Sequence, residues 1–230
     1  MTRAPVGPGK GSPRGDDARV ESRSIAPYAG GMENIELDAL LARATWTEEP
    51  VAAEVRDGRL LVTAREESDA WRITAYGFIH DNAHALVEPL GAEAAIEVSW
   101  ILDYDLQFDQ AGVMLRVDSE TWIKAGVEIS DGEPQVGAVV THGLSDWSVA
   151  PVPEWAGREI TIRASRSGNA VTLRARVEGE PWRLIRVAPL APDVHVLAGP
   201  MCCAPTHGGL EVTFTRVAVG EPDAELHPED

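Results

Sequence analysis

Residues 121–142 read TWIKAGVEIS, then DG, then EPQVGAVVTH. In the first segment Ile123, Ala125, Val127 and Ile129 alternate with Trp122, Lys124, Gly126 and Glu128. That is the period of a β-strand whose two faces meet different surroundings. Asp131-Gly132 is a two-residue hairpin signal, which pairs Ser130 with Glu133. Counting back sets Glu128 opposite Gln135, Lys124 opposite Val139 and Trp122 opposite Thr141. The intervening pairs, Val127–Val136, Ala125–Ala138 and Ile123–Val140, are apolar on both strands. A slip of one residue would turn these toward water, so the register is strongly specified. One face belongs to a core; the other, polar and aromatic, meets solvent or a ligand.

Neighbouring segments extend this face. A three-residue turn, Asp118–Glu120, sets Arg116 beside Trp122, Met114 beside Lys124 and Gln110 beside Glu128. A four-residue loop, His142–Ser145, sets Asp146 opposite Thr141 and Ser148 opposite Val139, and turns Trp147 to the core side. The face then displays Gln110, Arg116, Trp122, Lys124, Glu128, Gln135 and Asp146. Gly112, Gly126 and Gly137 form a row across it, a hollow where a ligand can approach the backbone. Lys124 is the only lysine after Lys10 in a chain with 18 arginines.

Beyond this sheet, the segments 60–64, 94–102, 159–164, 170–177, 182–187, 194–199 and 210–219 also read as strands, rich in Val, Ile and Thr. Only Met32–Ala42 reads as a helix. Many short strands without interleaved helices mean an all-β fold, and the length favours a large two-sheet antiparallel sandwich. Residues 1–33, rich in Gly, Pro, Ser and Arg, read as a disordered tail. The sandwich domain is expected over 34–220 and an acidic C-terminal tail over 221–230.

Charge narrows the partners. The 230 residues carry a formal net charge of −17, and residues 34–230 hold 15 basic against 33 acidic groups. Such a body repels phosphate backbones and anionic lipids, which argues against nucleic acid and membranes. No apolar run reaches the roughly 20 residues of a membrane span, and no signal-peptide pattern opens the chain, so the expectation is cytoplasmic. Cys202 and Cys203 are adjacent, lack metal-ligand spacing, and read as small strand residues facing opposite ways.

Three blocks resemble a family of unknown function that includes the fungal regulation-of-enolase protein. They are Asp109-Gln-Ala-Gly-Val-Met-Leu-Arg, Trp122-x-Lys124-x-Gly126-x-Glu128 and Ser145-Asp-Trp-Ser148. An earlier stretch, Asp69-x-Trp71-Arg72-x-Thr74-x-Tyr76-Gly77-Phe78 with Asp81 and His84, is similar too, with Ala70 where the family usually shows Phe. The resemblance spans roughly residues 45–219. It implies a concanavalin A-like jelly-roll sandwich and adds Trp71, Tyr76 and His84 to the candidate site.

The expected function is binding of a small polar ligand, a sugar or sugar derivative, on the concave sheet. Trp122 and Trp71 would stack on it, Lys124 and Arg116 would donate hydrogen bonds, and Glu128, Gln110 and Asp146 would accept or orient. Two alternatives stay open: a glycan-active enzyme with Glu128 and Lys124 as acid and base, and a regulatory module that contacts a metabolic enzyme. Glu128 and Asp146 lie about 20 Å apart along the expected strands, too far to flank one glycosidic bond. No cofactor is expected; Asp103, Asp105 and Asp109 form the one set of oxygen ligands worth testing for Ca²⁺. The scattered histidines lack zinc spacing.

Overall fold

A computed structural model describes residues 31–227 of the chain. The disordered tail expected over residues 1–33 falls almost wholly outside them. The first strands in chain order are β1 (Met32–Ile35), β2 (Thr45–Trp46), β3 (Ala52–Arg56), β4 (Arg59–Thr63), β5 (Ala70–Arg72) and β6 (Ile79–Asp81). Then come β7 (His84–Leu90), β8 (Ala94–Ile101), β9 (Gln110–Arg116), β10 (Thr121–Ser130), β11 (Glu133–His142) and β12 (Leu144–Pro151). The last are β13 (Glu159–Ser167), β14 (Ala170–Val177), β15 (Arg183–Pro189), β16 (Val196–Cys203) and β17 (Glu211–Gly220). One helix, α1 (Leu37–Arg43), joins β1 to β2.

Two large antiparallel sheets make the sandwich. One runs β12-β11-β10-β9-β16-β7-β2; the other runs β15-β14-β13-β8-β17-β4-β3, with β1 also on β17. A separate ribbon, β5-β6, belongs to neither. The inner faces bury one apolar core that includes Trp100, Trp155, Phe214, Ile123 and Val127. Tyr104 brings a hydroxyl into it. Its hydroxyl donates to Val127 O at 2.8 Å and accepts from the Ala111 amide at 3.0 Å, so its burial leaves no bond unmade.

The expected registers around β10 are found: Lys124 faces Val139 on β11 and Met114 on β9, and Glu128 faces Gln135 and Gln110. The expected register of β12 is not. The turn closes around Gly143 (φ +75°), pairing Thr141 with Ser145 and Val139 with Trp147. It is one residue tighter than expected, and a one-residue change exchanges the two faces. Trp147 therefore joins the face of Lys124. Asp146 leaves it and pairs with Arg186 of β15 at 2.6 Å, while Ser148 accepts from the same guanidinium at 2.8 Å. The stretch Met32–Ala42, expected to be helical throughout, splits. Met32–Ile35 pairs with the end of β17, and the helix begins only at Leu37, where Leu37 and Leu40 turn into the core.

The acidic C-terminal segment is partly docked. Asp223 accepts from Arg163 at 2.7 Å and from Arg174 at 3.0 Å, and all three side chains are buried. Glu97 also holds Arg163, at 3.1 Å. Buried charges need such mutual pairing, because each alone would face a desolvation cost of several kcal/mol.

The glycine row is a steric requirement. A Cβ on Gly112 would lie 2.0 Å from Ala125 O, one on Gly126 2.0 Å from Ala111 O, and one on Gly137 2.1 Å from Ser148 O. Each contact is with neighbouring backbone, which cannot swing aside. Gly126→Ala is expected to cost about 2–3 kcal/mol, the scale of overpacking in a rigid interior, read as a lower urea midpoint.

Candidate functional site

The site is built where the β5-β6 ribbon lies over the outer face of the seven-stranded sheet. The ribbon is short, so it depends on anchors. Lys124 Nζ donates to Asp69 Oδ1 at 2.9 Å just before β5. Arg116 of β9 grips Asp81 of β6 with both terminal nitrogens, at 2.6 and 2.8 Å. Arg72 donates to Gly143 O at 3.1 Å and to Glu120 at 2.8 Å, and its amide donates to Ser145 Oγ at 2.9 Å. Beneath lies a second apolar cluster, with Trp71, Met114, Trp122, Val139, Met201 and Cys203.

Beside this cluster opens a cavity of about 310 Å³. The ribbon walls it with Trp71, Tyr76, Phe78 and His80; Trp147 and Phe108 wall it elsewhere; Lys124, Glu128, Gln110 and Asp69 supply its polar groups. The aromatic rings support one another. Tyr76 stacks on Phe78 with centroids 5.4 Å apart, and Trp71 meets Tyr76 edge-on at 5.5 Å and Trp147 edge-on at 6.3 Å. Trp71 is fixed further by donating from Nε1 to Thr74 O at 3.0 Å. The volume is at the lower end of those that hold small organic ligands.

The structure thus gathers Lys124, Glu128, Gln110, Trp71 and Tyr76, and disperses the other candidates. Trp122 is no exposed platform: it is 1% exposed, sealed under the ribbon, and its indole N–H lacks a partner. Arg116 spends its guanidinium on Asp81. His84 is fully buried between two backbone groups: Nε2 accepts from the Arg65 amide at 2.9 Å, and Nδ1 lies 3.0 Å from Glu48 O. Burial lowers its pKa, so it is a neutral structural bridge. Asp146 is on the other face of its strand. Asp103, Asp105 and Asp109 do not gather: among the described residues no group of three or more His, Cys, Asp or Glu is placed to hold a metal ion.

Asp69, Phe78, His80, Phe108 and Trp147 enter the site without having been singled out for it. Three of them did carry a signal. Asp69 and Phe78 stand in the same motif as Trp71 and Tyr76, and Trp147 is the aromatic of the Ser145–Ser148 block.

The polar groups of the cavity have uneven electrostatics. Burial works against the charged form of Lys124, but the Asp69 carboxylate, with Glu128 beside it, outweighs burial and holds the ammonium above its ordinary range. Glu128 is pushed up to about 7, by burial first and by Asp69 second, against an opposing pull from Lys124. The Cys203 thiol is raised by burial as well.

Residues 46–222 match the model of a family described as protein of unknown function, DUF1349. The chain belongs to this family. This DUF1349 protein is 36% identical over 182 residues to Regulation of enolase protein 1 of Saccharomyces cerevisiae, covering 79% of this chain and 91% of that one. It superposes on the crystal structure of a functionally unknown protein from Saccharomyces cerevisiae with a TM-score of 0.74 at 35% identity, over 79% of this chain and 98% of the other. A GH43 protein of Bacillus licheniformis, BlXynB, aligns with a TM-score of 0.62 at 13% identity, over 76% of this chain and 36% of that chain. That similarity shows a shared sandwich fold alone. Among the described residues of the DUF1349 protein, no helix is long and apolar enough to cross a membrane.

Glu128 links the site to stability. Its folded-state pKa of about 7 lies above the ordinary 4.5, so the folded protein retains a proton that the unfolded chain releases between those values. Stability contributed by the neutral form is complete below about pH 4.5 and is lost as pH rises through about 7. Relative to Glu128→Gln, the wild-type melting temperature should therefore fall between about pH 5 and about pH 8, measured by paired thermal unfolding.

Proposed function

We propose that this protein binds a small, hydroxyl-rich ligand of the sugar class that carries no negative charge, in the cavity beside the β5-β6 ribbon. One observation carries the reading: aromatic walls from Trp71, Tyr76, Phe78 and Trp147 converge with the polar groups of Gln110, Lys124 and Glu128 in one recess. The CH face of a pyranose stacks on indole and phenol rings, and its hydroxyls satisfy amide, carboxylate and ammonium groups at once. This differs from the sequence expectation in which residues do the stacking. Both cations expected to donate to the ligand are already paired, Lys124 with Asp69 and Arg116 with Asp81. Among the described residues that line the cavity, a phosphate would meet no unpaired lysine or arginine and would face Glu67, Asp69 and Glu128. The reading keeps the cytoplasmic setting expected from the sequence.

The near-neutral Glu128 favours a second reading, an enzyme acting on the same ligand, since a carboxyl with a pKa of about 7 can both give and take a proton. Turnover abolished by Glu128→Gln with binding retained would establish it. The name of the yeast relative speaks of enolase. A protein partner held by this acidic surface would show as a salt-sensitive pull-down.

A thermal-shift panel of neutral monosaccharides, disaccharides and sugar phosphates tests the main reading. A neutral sugar at about 100 times its dissociation constant should add about 2.7 kcal/mol of stability. Tyr76→Ala and Trp147→Ala should each weaken binding about tenfold, and sugar phosphates should bind no better than their parent sugars. A panel without any shift would overturn the sugar assignment.

A further inference from the structure

The cavity is not electrically neutral. Glu67, Asp69 and Glu128 line it against a single lysine. The Lys124 ammonium is hydrogen-bonded to Asp69 at 2.9 Å, which accounts for one charge of each sign. The Glu128 carboxylate takes no hydrogen bond from any described residue. The backbone of Glu128 lies four residues beyond that of Lys124, about 13 Å along the strand and on the far side of Gly126, so the carboxylate feels the lysine charge without being bonded to it and keeps its oxygens for a second positive group. The walls suit the same charge. Trp71, Tyr76, Phe78, Phe108 and Trp147 line the same cavity, and aromatic π-systems attract cations where water is excluded.

Resting on the sugar-binding reading above, we propose that the ligand is an amino sugar in its ammonium form. Its nitrogen pairs with Glu128, and its ring lies among the aromatic side chains of the ribbon and Trp147. The acidic surface, with a net charge of −17, concentrates such a cation near the protein and repels its anionic counterparts. Pairing requires Glu128 in its charged form, so binding expels the proton that the empty site holds below about pH 7. The charged and titratable groups facing Glu128 are Lys124 on its own strand, Asp69 and Glu67 before β5, His80 on β6 and Cys203 on β16. Lys124 and Asp69 compensate one another. The Cys203 thiol stays protonated. His80 would oppose a cation when protonated, and so needs its own control.

The experiment is isothermal titration of the full chain with glucosamine, glucose and N-acetylglucosamine. The last has the size of an amino sugar without its charge. At about pH 7 glucosamine should bind at least about tenfold more tightly than either neutral sugar. Its advantage should shrink about tenfold for each pH unit below that, while glucose affinity stays level. Glu128→Gln should erase the preference and its pH slope; His80→Gln should retain both. Equal affinities for the three sugars would refute the ammonium–Glu128 pairing while leaving the sugar reading intact. A preference that survives Glu128→Gln, or is indifferent to pH, would refute it in the same way. Heats for none of the three would remove both proposals together.

Discussion

A lysine only 4% exposed on a β-sheet must be neutralised or it will not stay charged, and Lys124 is neutralised by Asp69. Stripping a single ion of water costs several kcal/mol, so the bond at 2.9 Å is a condition for the local structure rather than an ornament on it. Asp69 leads directly into the β5-β6 ribbon. Satisfying Lys124 therefore fixes where that ribbon begins, and Arg116 with Asp81 fixes where it ends. The ribbon then covers Trp122, Met114 and Val139, and raises the aromatic wall of the cavity along its other edge. Removing the lysine charge would leave a half-buried carboxylate unpaired, and removing the carboxylate would leave a buried ammonium. The ribbon would lose its seat in either case.

Much of the fold is legible in the sequence because its hairpins are local and its core is strictly alternating. Asp131-Gly132 sets the β10–β11 register, and the apolar pairs of that hairpin would all be misplaced by any other. The same argument reaches β9. It fails at β12, where the length of one turn cannot be read from alternation: Ser145, Trp147 and Val149 are as plausible on either face as Asp146 and Ser148. Gly143, with its left-handed backbone, is what permits the tighter turn.

The candidate site is less legible for a different reason. Alternation along β10 separates an inner from an outer face, and it tells nothing of whether the outer face is later roofed. Here three residues of each ribbon strand do the roofing, so Trp122 becomes core while sharing the parity of Lys124. His84 enters the candidate site only through the family resemblance, and its ring is instead taken up in satisfying the Arg65 amide and the Glu48 carbonyl. The opposite sheet repeats the pattern, with Arg163, Arg174, Glu97 and Asp223 forming a buried ionic layer on its outer side. Neither outer face is simply a solvated surface, and both are closed by segments that lie outside the sheet they cover.

The adjacent cysteines sit on opposite sides of that division. Cys202 points into the core between the sheets, and Cys203 points beneath the ribbon, with Sγ 3.9 Å from Asp69 Oδ1. Both are fully buried and both thiols are shifted away from the reactive thiolate. Lifting the ribbon would bare the second while the first stayed sealed; only parting of the two sheets would bare both. The chain thus contains a natural pair of chemical clocks, one residue apart, whose alkylation rates time the breathing of the roof and the melting of the sandwich separately.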